Sequence, residues 1–418
     1  VGANPSRLPD WLDGTLSAWL LFWASLIVVC NHAGAYAYVA LAVLLGAVGW
    51  LVLIRRTALR GRAILFGLAW SFLLLWMVIT TRWGEFSANT AWRLGVQLVL
   101  MLSLPAFFAT RSERVKSTLS HILMATALGG VAVMVADLLS GFGLTFTLDP
   151  LRDGQTMWRR QSDAEMHLGR GLVAWSILTP TLLALFATRL SGWARWAVGL
   201  TFVGLLFAAA GLNRLFVPVL IMAGSVPVFF IALKAPKLAL RGSVWLAAAS
   251  ILFAPIVGWL SRFASEDMLS RLPLSWDHRL RMWDYTFARI LEKPLTGHGL
   301  DASRGMQDSF TTRIGVDIPY ISLHPHNVGL QVWLELGAVG ALFAAGAIFA
   351  MGPAAKLLAA RNPYRMAALA ALITGAAIAS AITVGAWQYW WWGLIGFAGA
   401  SVAFIPEKPV LLKRSVDA

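Results

Sequence analysis

Two histidines flank a proline in Leu323-His324-Pro325-His326-Asn327, and an apolar run carrying Glu335, Gly337 and Gly340 follows at once. A neutral imidazole, with an ordinary pKa of about 6.5, accepts a proton at neutral pH and suits general-base work on a hydroxyl. On an ideal helix at about 100° per residue, Trp333, Gly337 and Gly340 fall within about 40° of His326. Small residues on such a stripe let helices approach closely, which turns His326 toward a protein interior. Glu335 falls on the opposite face, which argues for a packing role. Arginines supply the complementary chemistry: a planar guanidinium binds phosphate through two parallel hydrogen bonds and stabilises charge building on a departing diphosphate. Arg214 and Arg281 lead the candidates, followed by Arg82, Arg159, Arg160, Arg170 and Arg279. His324, Trp283 and Gln388 complete the set of candidate substrate contacts.

The same residues admit other chemistry. His324-Pro325-His326 has the look of a metal pair, yet no companion acid or cysteine sits at ligand spacing. Asp277, Asp284 or Asp301 could each join His326 in a carboxylate–imidazole pair once the chain folds. Composition alone favours a structural role for a histidine at a helix start.

The elements that must position these groups are membrane helices. Of 418 residues, 58% are hydrophobic and only 13% charged, and the mean hydropathy is +0.70. A soluble domain of this size is excluded, and the chain reads as an all-α polytopic membrane protein. About twelve runs of roughly 17 to 25 apolar residues recur, each long enough to cross a hydrocarbon core of about 30 Å. The net charge of +14 could point to nucleic acid, but its distribution argues against that partner. Basic loops at 55–62, 111–116, 189–195, 234–241, 356–365 and 408–414 fall on alternate connections. The positive-inside rule puts these loops and both termini in the cytoplasm. The acidic residues gather on the other face, at Glu85, 149–165 and 266–317. Cys30 is alone, so no internal disulfide can form. The polar stretch 1–13 ahead of the first apolar run reads as the lead into a membrane helix and not as a cleaved signal.

In chain order, helices are expected at about 15–30 and 37–54, joined by a tight turn at His32, then at 63–80 and from about 91, with Arg93 in the first turn. A fifth, at 118–140, precedes an outer loop at 141–168, and Arg170 opens the sixth. From Trp196 to Ile231 a single helix would reach roughly 54 Å, so two spans must meet in a minimal turn at 211–214. That places Arg214 at the outer end of the eighth, buried among neighbours, where a charge is costly and usually functional. The ninth, at 244–260, opens into the longest polar segment, 261–325. There Asp277 is expected to cap an amphipathic helix with Leu280, Trp283, Phe287, Ile290 and Leu291 on one side, stopped by Pro294 and Gly297. Helices at 327–351, 366–384 and 387–405 complete the chain, the last led by Gln388-Tyr389-Trp390-Trp391-Trp392, an aromatic belt or an apolar wall for a lipid tail or sugar. Three parts follow: helices one to nine over 1–260, an outer loop domain over 261–325, and the last helices with a tail over 326–418.

These residues also carry a resemblance. His326-Asn327, nine residues, Gly337, two residues, Gly340 resembles the H-[NSQ]-x9-G-x-x-G pattern of bacterial O-antigen ligases. Arg279-Leu280-Arg281-Met282-Trp283 through Pro294-Leu295-Thr296-Gly297-His298-Gly299 is similar to the arginine–tryptophan and P-x-x-G-x-G segment of the wider ligase and polymerase family. The resemblance implies a membrane glycosyltransferase of the C superfamily, with one large periplasmic loop containing amphipathic helices. It would move O-antigen polysaccharide from undecaprenyl diphosphate to a sugar hydroxyl of the lipid A core, at the periplasmic face of the bacterial inner membrane. It would need no metal or other cofactor and would invert the anomeric carbon. His326 matches the family's essential histidine, and Arg214 and Arg281 look like its two essential arginines, with Arg279 able to replace Arg281 in that match. An O-antigen polymerase and a protein O-oligosaccharyltransferase share the pattern and differ in acceptor. A lipid-linked oligosaccharide transporter is a further alternative, but a carrier usually keeps its charges near mid-membrane, and the candidate charges here gather at one face.

Overall fold

The computed structural model describes residues 60–84, 111–148, 155–359 and 362–407 continuously, with scattered positions between 14 and 50 and between 94 and 109. The expected helices at 15–30, 37–54 and from 91, Glu85, Arg93 and the basic run 408–414 lie wholly or largely outside the described residues. The described helices are α1 (Ile27–His32), α2 (Arg60–Thr80), α3 (Leu104–Ala109), α4 (Glu113–Leu139), α5 (Gly143–Leu148), α6 (Met157–Arg189), α7 (Ala194–Leu212) and α8 (Phe216–Lys234). They continue as α9 (Pro236–Leu252), α10 (Ala254–Ser261), α11 (Glu266–Arg271), α12 (Leu274–Glu292), α13 (Val328–Ala359), α14 (Pro363–Ile382) and α15 (Tyr389–Ser401). Strands β1 (Ser309–Thr311) and β2 (Asp317–Pro319) form an antiparallel hairpin between α12 and α13.

Among the described residues six helices are long and apolar enough to cross a membrane: α4, α6, α7, α8, Val328–Gly352 of α13, and α14. The pair α9 and α10, bent by 54°, makes a seventh if it counts as one span. The protein is therefore a polytopic membrane protein. Other expected spans fall outside the described residues or on shorter apolar helices such as Gly67–Thr80. At the centre α14 packs against α6, α8 and α9, while α13 packs against α2, α9, α12 and α14. Small residues make this possible: Ala367, Ala368, Ala370, Ala371 and Ala379 of α14 are fully buried. In a bilayer, close approach of this kind replaces the hydrophobic drive that water would supply.

Several local expectations change. Of the expected loop 141–168, residues 143–148 and those from 157 on are helical, since α6 starts at Met157 with Thr156 as its cap, so Arg159, Arg160 and Arg170 all lie on one helix. The ninth span is not straight over 244–260: Pro255 lies at the start of α10, just past the break at Phe253, and a proline there cannot complete the preceding helical ladder. Asp277 caps nothing. Helix α12 begins three residues earlier, after Pro273, and the Asp277 carboxylate pairs with Arg281. The 196–231 stretch is two helices joined by a minimal turn, with Arg214 in a left-handed conformation at φ 51°. Arg214 is exposed there, not buried.

The largest departure concerns α13. Gly337 leaves the helical conformation (φ 66°, ψ −168°) and splits the helix near its start, while His326 precedes the helix altogether at φ 51°. A continuous helical stripe from His326 to Gly340 therefore does not exist. The break frees backbone groups that a membrane helix cannot leave unpaired, and the Pro294–Gly299 segment takes them up. His298 N–H and Gly299 N–H donate to the carbonyls of Leu334 and Glu335 at 2.8 and 2.9 Å, and Ala338 N–H donates to Pro294 O at 2.9 Å. Trp76 Nε1 donates to Leu336 O at 2.9 Å, and Trp83 Nε1 to Gly297 O at 3.2 Å. A Cβ on Gly337 would collide with Leu295 O, and one on Gly297 with the Glu335 backbone.

Replacing Gly337 by Ala should destabilise the protein by about 2 kcal/mol or more, since positive φ and a backbone collision act together. Gly346, whose added Cβ would meet nothing within 4 Å, serves as control: its change to Ala should shift stability by no more than about 1 kcal/mol. Thermal unfolding in one detergent compares the two.

Candidate active site

The His324-Pro325-His326 approach is pinned from three sides. Trp283 of α12 is buried, and its Nε1 donates to Pro325 O at 2.9 Å. Ser303 Oγ shares its one proton between Leu323 O at 3.1 Å and Glu335 Oε1 at 2.8 Å. Asn327 Oδ1 accepts from Leu330 N–H at 2.9 Å and so caps α13. Trp283 thereby holds the backbone of the site and offers no open face to a substrate.

His326 Nδ1 lies 2.8 Å from the Thr383 carbonyl. A carbonyl only accepts, so Nδ1 carries the proton and Nε2 keeps its lone pair. Burial pushes this imidazole well below its ordinary value, to about 4; the Arg279 guanidinium and His278 lower it further against the Thr383 carbonyl. The ring is thus neutral at pH 7, but a weaker base than an unperturbed imidazole. His324, 4.5 Å away between ring centroids, is pushed down to about 3 by burial, with contributions from His326, Arg304 and Arg170. His324 Nδ1 receives His326 N–H at 3.2 Å, and its Nε2 meets Gln388 Nε2 at 2.7 Å. A neutral imidazole has one acceptor nitrogen, so the ring accepts only one of these two contacts; Gln388 Oε1 accepts Gly385 N–H at 3.3 Å, which turns its amide nitrogen toward His324.

The two neighbouring arginines of α12 differ sharply. Arg281 is consumed by carboxylates: Nε to Asp277 at 2.8 Å, and Nη1 and Nη2 to Glu266 at 3.0 and 2.5 Å. The Glu266 carboxylate, ahead of Asp277, holds its pKa above the ordinary arginine value. Arg279 meets no carboxylate among the described residues. Its Nη1 donates to Ser275 O at 3.0 Å, its guanidinium lies 5.5 Å from the Trp276 ring centroid, and Nε is buried without a partner. Burial lowers its pKa, the mark of a desolvated cation awaiting a counter-charge.

The remaining candidates spread around this centre. Arg170 lies 5.9 Å from the Trp390 ring centroid and is felt by His324. Arg160 donates to Phe146 O at 2.5 Å, while Arg159 is exposed on the same helix. Arg82 is exposed in the turn that Trp83 anchors to Gly297. Arg214 reaches this end of the bundle through Asn213, whose side chain donates to Glu165 O at 3.3 Å. Sequence reasoning missed Thr383, Gln331 and Arg304, and underrated Glu335. Glu335 is fully buried and receives Asp301 N–H, Ser303 Oγ, Gln331 Nε2 and Trp387 Nε1. Among the described residues no three His, Cys, Asp or Glu side chains gather at metal-binding spacing.

Residues 171–345 match the family model described as O-Antigen ligase. That segment, 175 of the 418 residues, is similar to the O-antigen ligase family. It contains His326, Arg214, Arg279, Arg281 and the Gly337 break, and leaves out Thr383 and Gln388. Among curated proteins the chain is similar to one of Rickettsia conorii named "Putative polysaccharide ligase", 30% identical over 153 residues, 36% of each chain. A protein of the same name from Rickettsia bellii is 31% identical over 150 residues, 35% of this chain and 36% of the relative. One from Rickettsia typhi is 40% identical over 83 residues, 19% and 20% of the two chains. The chain thus matches about a third of the length of the first two relatives.

The His326 ring should titrate with a midpoint near 4, well below the ordinary value of about 6.5, read by NMR on histidine-labelled protein. The sign for stability follows from proton counting. The unfolded ring binds a proton below about 6.5 and the folded ring only below about 4, so the contribution is intact above pH 6.5. It is lost progressively as the pH falls toward 4, and His326→Gln should flatten unfolding curves in that window.

Proposed function

We propose that the protein transfers a polysaccharide from a lipid-linked diphosphate to a hydroxyl acceptor at the periplasmic face of the inner membrane. The observation that carries this reading is the pairing of an unprotonated His326 Nε2, fixed by the Thr383 carbonyl, with a carboxylate-free Arg279 whose charge the same imidazole feels. One group can take a proton and the other can take an anion.

In the reaction, Nε2 removes the proton of the acceptor hydroxyl, and the oxygen attacks the anomeric carbon from the face opposite the diphosphate. The bond from that carbon to the diphosphate oxygen breaks, and its electron pair leaves on the diphosphate. Arg279 binds the developing charge, in the place first assigned to Arg281. Arg214, exposed and with no carboxylate partner among the described residues, meets the lipid-borne diphosphate from the bilayer side. An arriving diphosphate also answers the weak basicity of His326. Its negative charge offsets the Arg279 field and raises the imidazole toward its ordinary pKa, so the base strengthens when the donor is in place. The similarity of 171–345 to the O-antigen ligase family model and the relatives' name, polysaccharide ligase, support polysaccharide transfer; undecaprenyl diphosphate-linked O-antigen as donor and lipid A core as acceptor are part of the proposal.

Reconstituted His326→Ala should bind the donor but lose transfer by at least about a hundredfold, the usual worth of a general base. Unchanged turnover would remove the base assignment. Arg279→Ala should cost donor use more than Arg281→Ala does, and Arg279→Lys should rescue only in part because an ammonium lacks the planar fork. Adding inorganic pyrophosphate should raise the His326 titration midpoint in wild type and leave it in place in Arg279→Ala.

A further inference from the structure

Which nitrogen of His326 carries the proton is decided by one acceptor, the Thr383 carbonyl. It lies where α14 ends: Thr383 leaves the helical conformation at φ −145° and ψ −31°. Its position then depends on the connection 383–388, which is held by side chains of α13. Gln331 Oε1 accepts Ala386 N–H at 2.7 Å, and Trp387 Nε1 donates to Glu335 Oε2 at 2.5 Å. Gln331 in turn donates to Glu335 Oε1 at 2.9 Å. Two further donors, Asp301 N–H at Oε2 and Ser303 Oγ at Oε1, complete the set around this fully buried carboxylate. A carboxylate is costly to bury, and here each oxygen has two donors. Two of the four, Gln331 and Trp387, lead to the connection that aims the catalytic ring. The reaction written above uses none of them.

We infer that Glu335 is a positioning residue for His326: through Trp387 and Gln331 it fixes the 383–388 connection, so that the Thr383 carbonyl holds the imidazole in its Nδ1-protonated form. The inference rests on the reading of His326 as the base. Glutamine at 335 would keep the size but present a donor to groups that are themselves donors, loosening one side of the clamp.

The test is ¹⁵N NMR of histidine-labelled protein in lipid nanodiscs at pH 7, with the His326 signal assigned by its loss in His326→Ala. Wild type should show the single Nδ1–H tautomer. Glu335→Gln and Trp387→Phe should show both tautomers, with kcat down about tenfold and donor KM within about twofold, because the donor site is untouched. Should the Glu335 variant fail to insert, Gln331→Met, which strands Ala386 N–H, gives the same reading. Trp76→Phe strips a hydrogen bond from the same helix at Leu336 O, away from both the 383–388 connection and the histidine approach, and should keep one tautomer. A single Nδ1–H tautomer in both Glu335→Gln and Trp387→Phe overturns the inference. So does equal scrambling in Trp76→Phe, which would mean general loosening. The tautomer is read without turnover, so an active His326→Ala enzyme would sink the base assignment while leaving the ring's positioning separately measured.

Discussion

The structure depends on an exchange of backbone hydrogen bonds across the break at Gly337. A helix interrupted inside a membrane protein must pair the groups it frees, and here the partner is a turn from the polar segment, Pro294–Gly299. Each side explains the other. The turn can come that close because Gly297 and Gly337 lack side chains, and the break persists because the turn satisfies it. Since α12 runs directly into that turn, the joint fixes the helix that carries Arg279 against the helix whose start carries His326. Two sequence elements, Pro294–Gly299 and Gly337, 38 or more residues apart, are in this sense one structural unit.

From that joint the site is assembled by caps and carbonyls more than by side-chain pairs. Asn327 caps α13, Trp283 grips Pro325, and the end of α14 aims the imidazole. His326, Arg214 and Asp301 all adopt left-handed conformations without being glycines, a cost that surrounding contacts must over-determine. His326 and Asp301 lie beside the Glu335 network, and Arg214 sits on a turn with no side-chain anchor of its own among the described residues.

Much of this was legible. Apolar run lengths gave membrane helices, the 54 Å argument divided 196–231 correctly, and the apolar spacing of α12 located its helix. The break was not legible, because a glycine in an apolar run reads equally as a packing residue, and only the approach of Leu295 distinguishes the two. The choice between Arg279 and Arg281 was partly readable. Asp277 stands four residues before Arg281, the spacing that pairs charges along a helix, while the positions three and four residues from Arg279 are Ser275, Trp276, Met282 and Trp283, none of them acidic. Arg214 was placed correctly at a turn but not in its exposure, since burial depends on neighbours that a linear pattern does not name. Thr383 left no trace at all: it acts through a main-chain oxygen, which every residue possesses.

The 54° bend between α9 and α10 has a bearing on the lipid itself. The straight part, Pro236–Leu252, is 17 residues long and rises only about 25 Å, short of the roughly 30 Å of hydrocarbon it would face. Trp333, one turn beyond the start of α13, seals the freed Ile251 carbonyl at the bend. Acyl chains beside that helix must either compress or yield their outermost layer to the slanted turns of α10. By length alone, the bilayer should thin against this flank of the bundle.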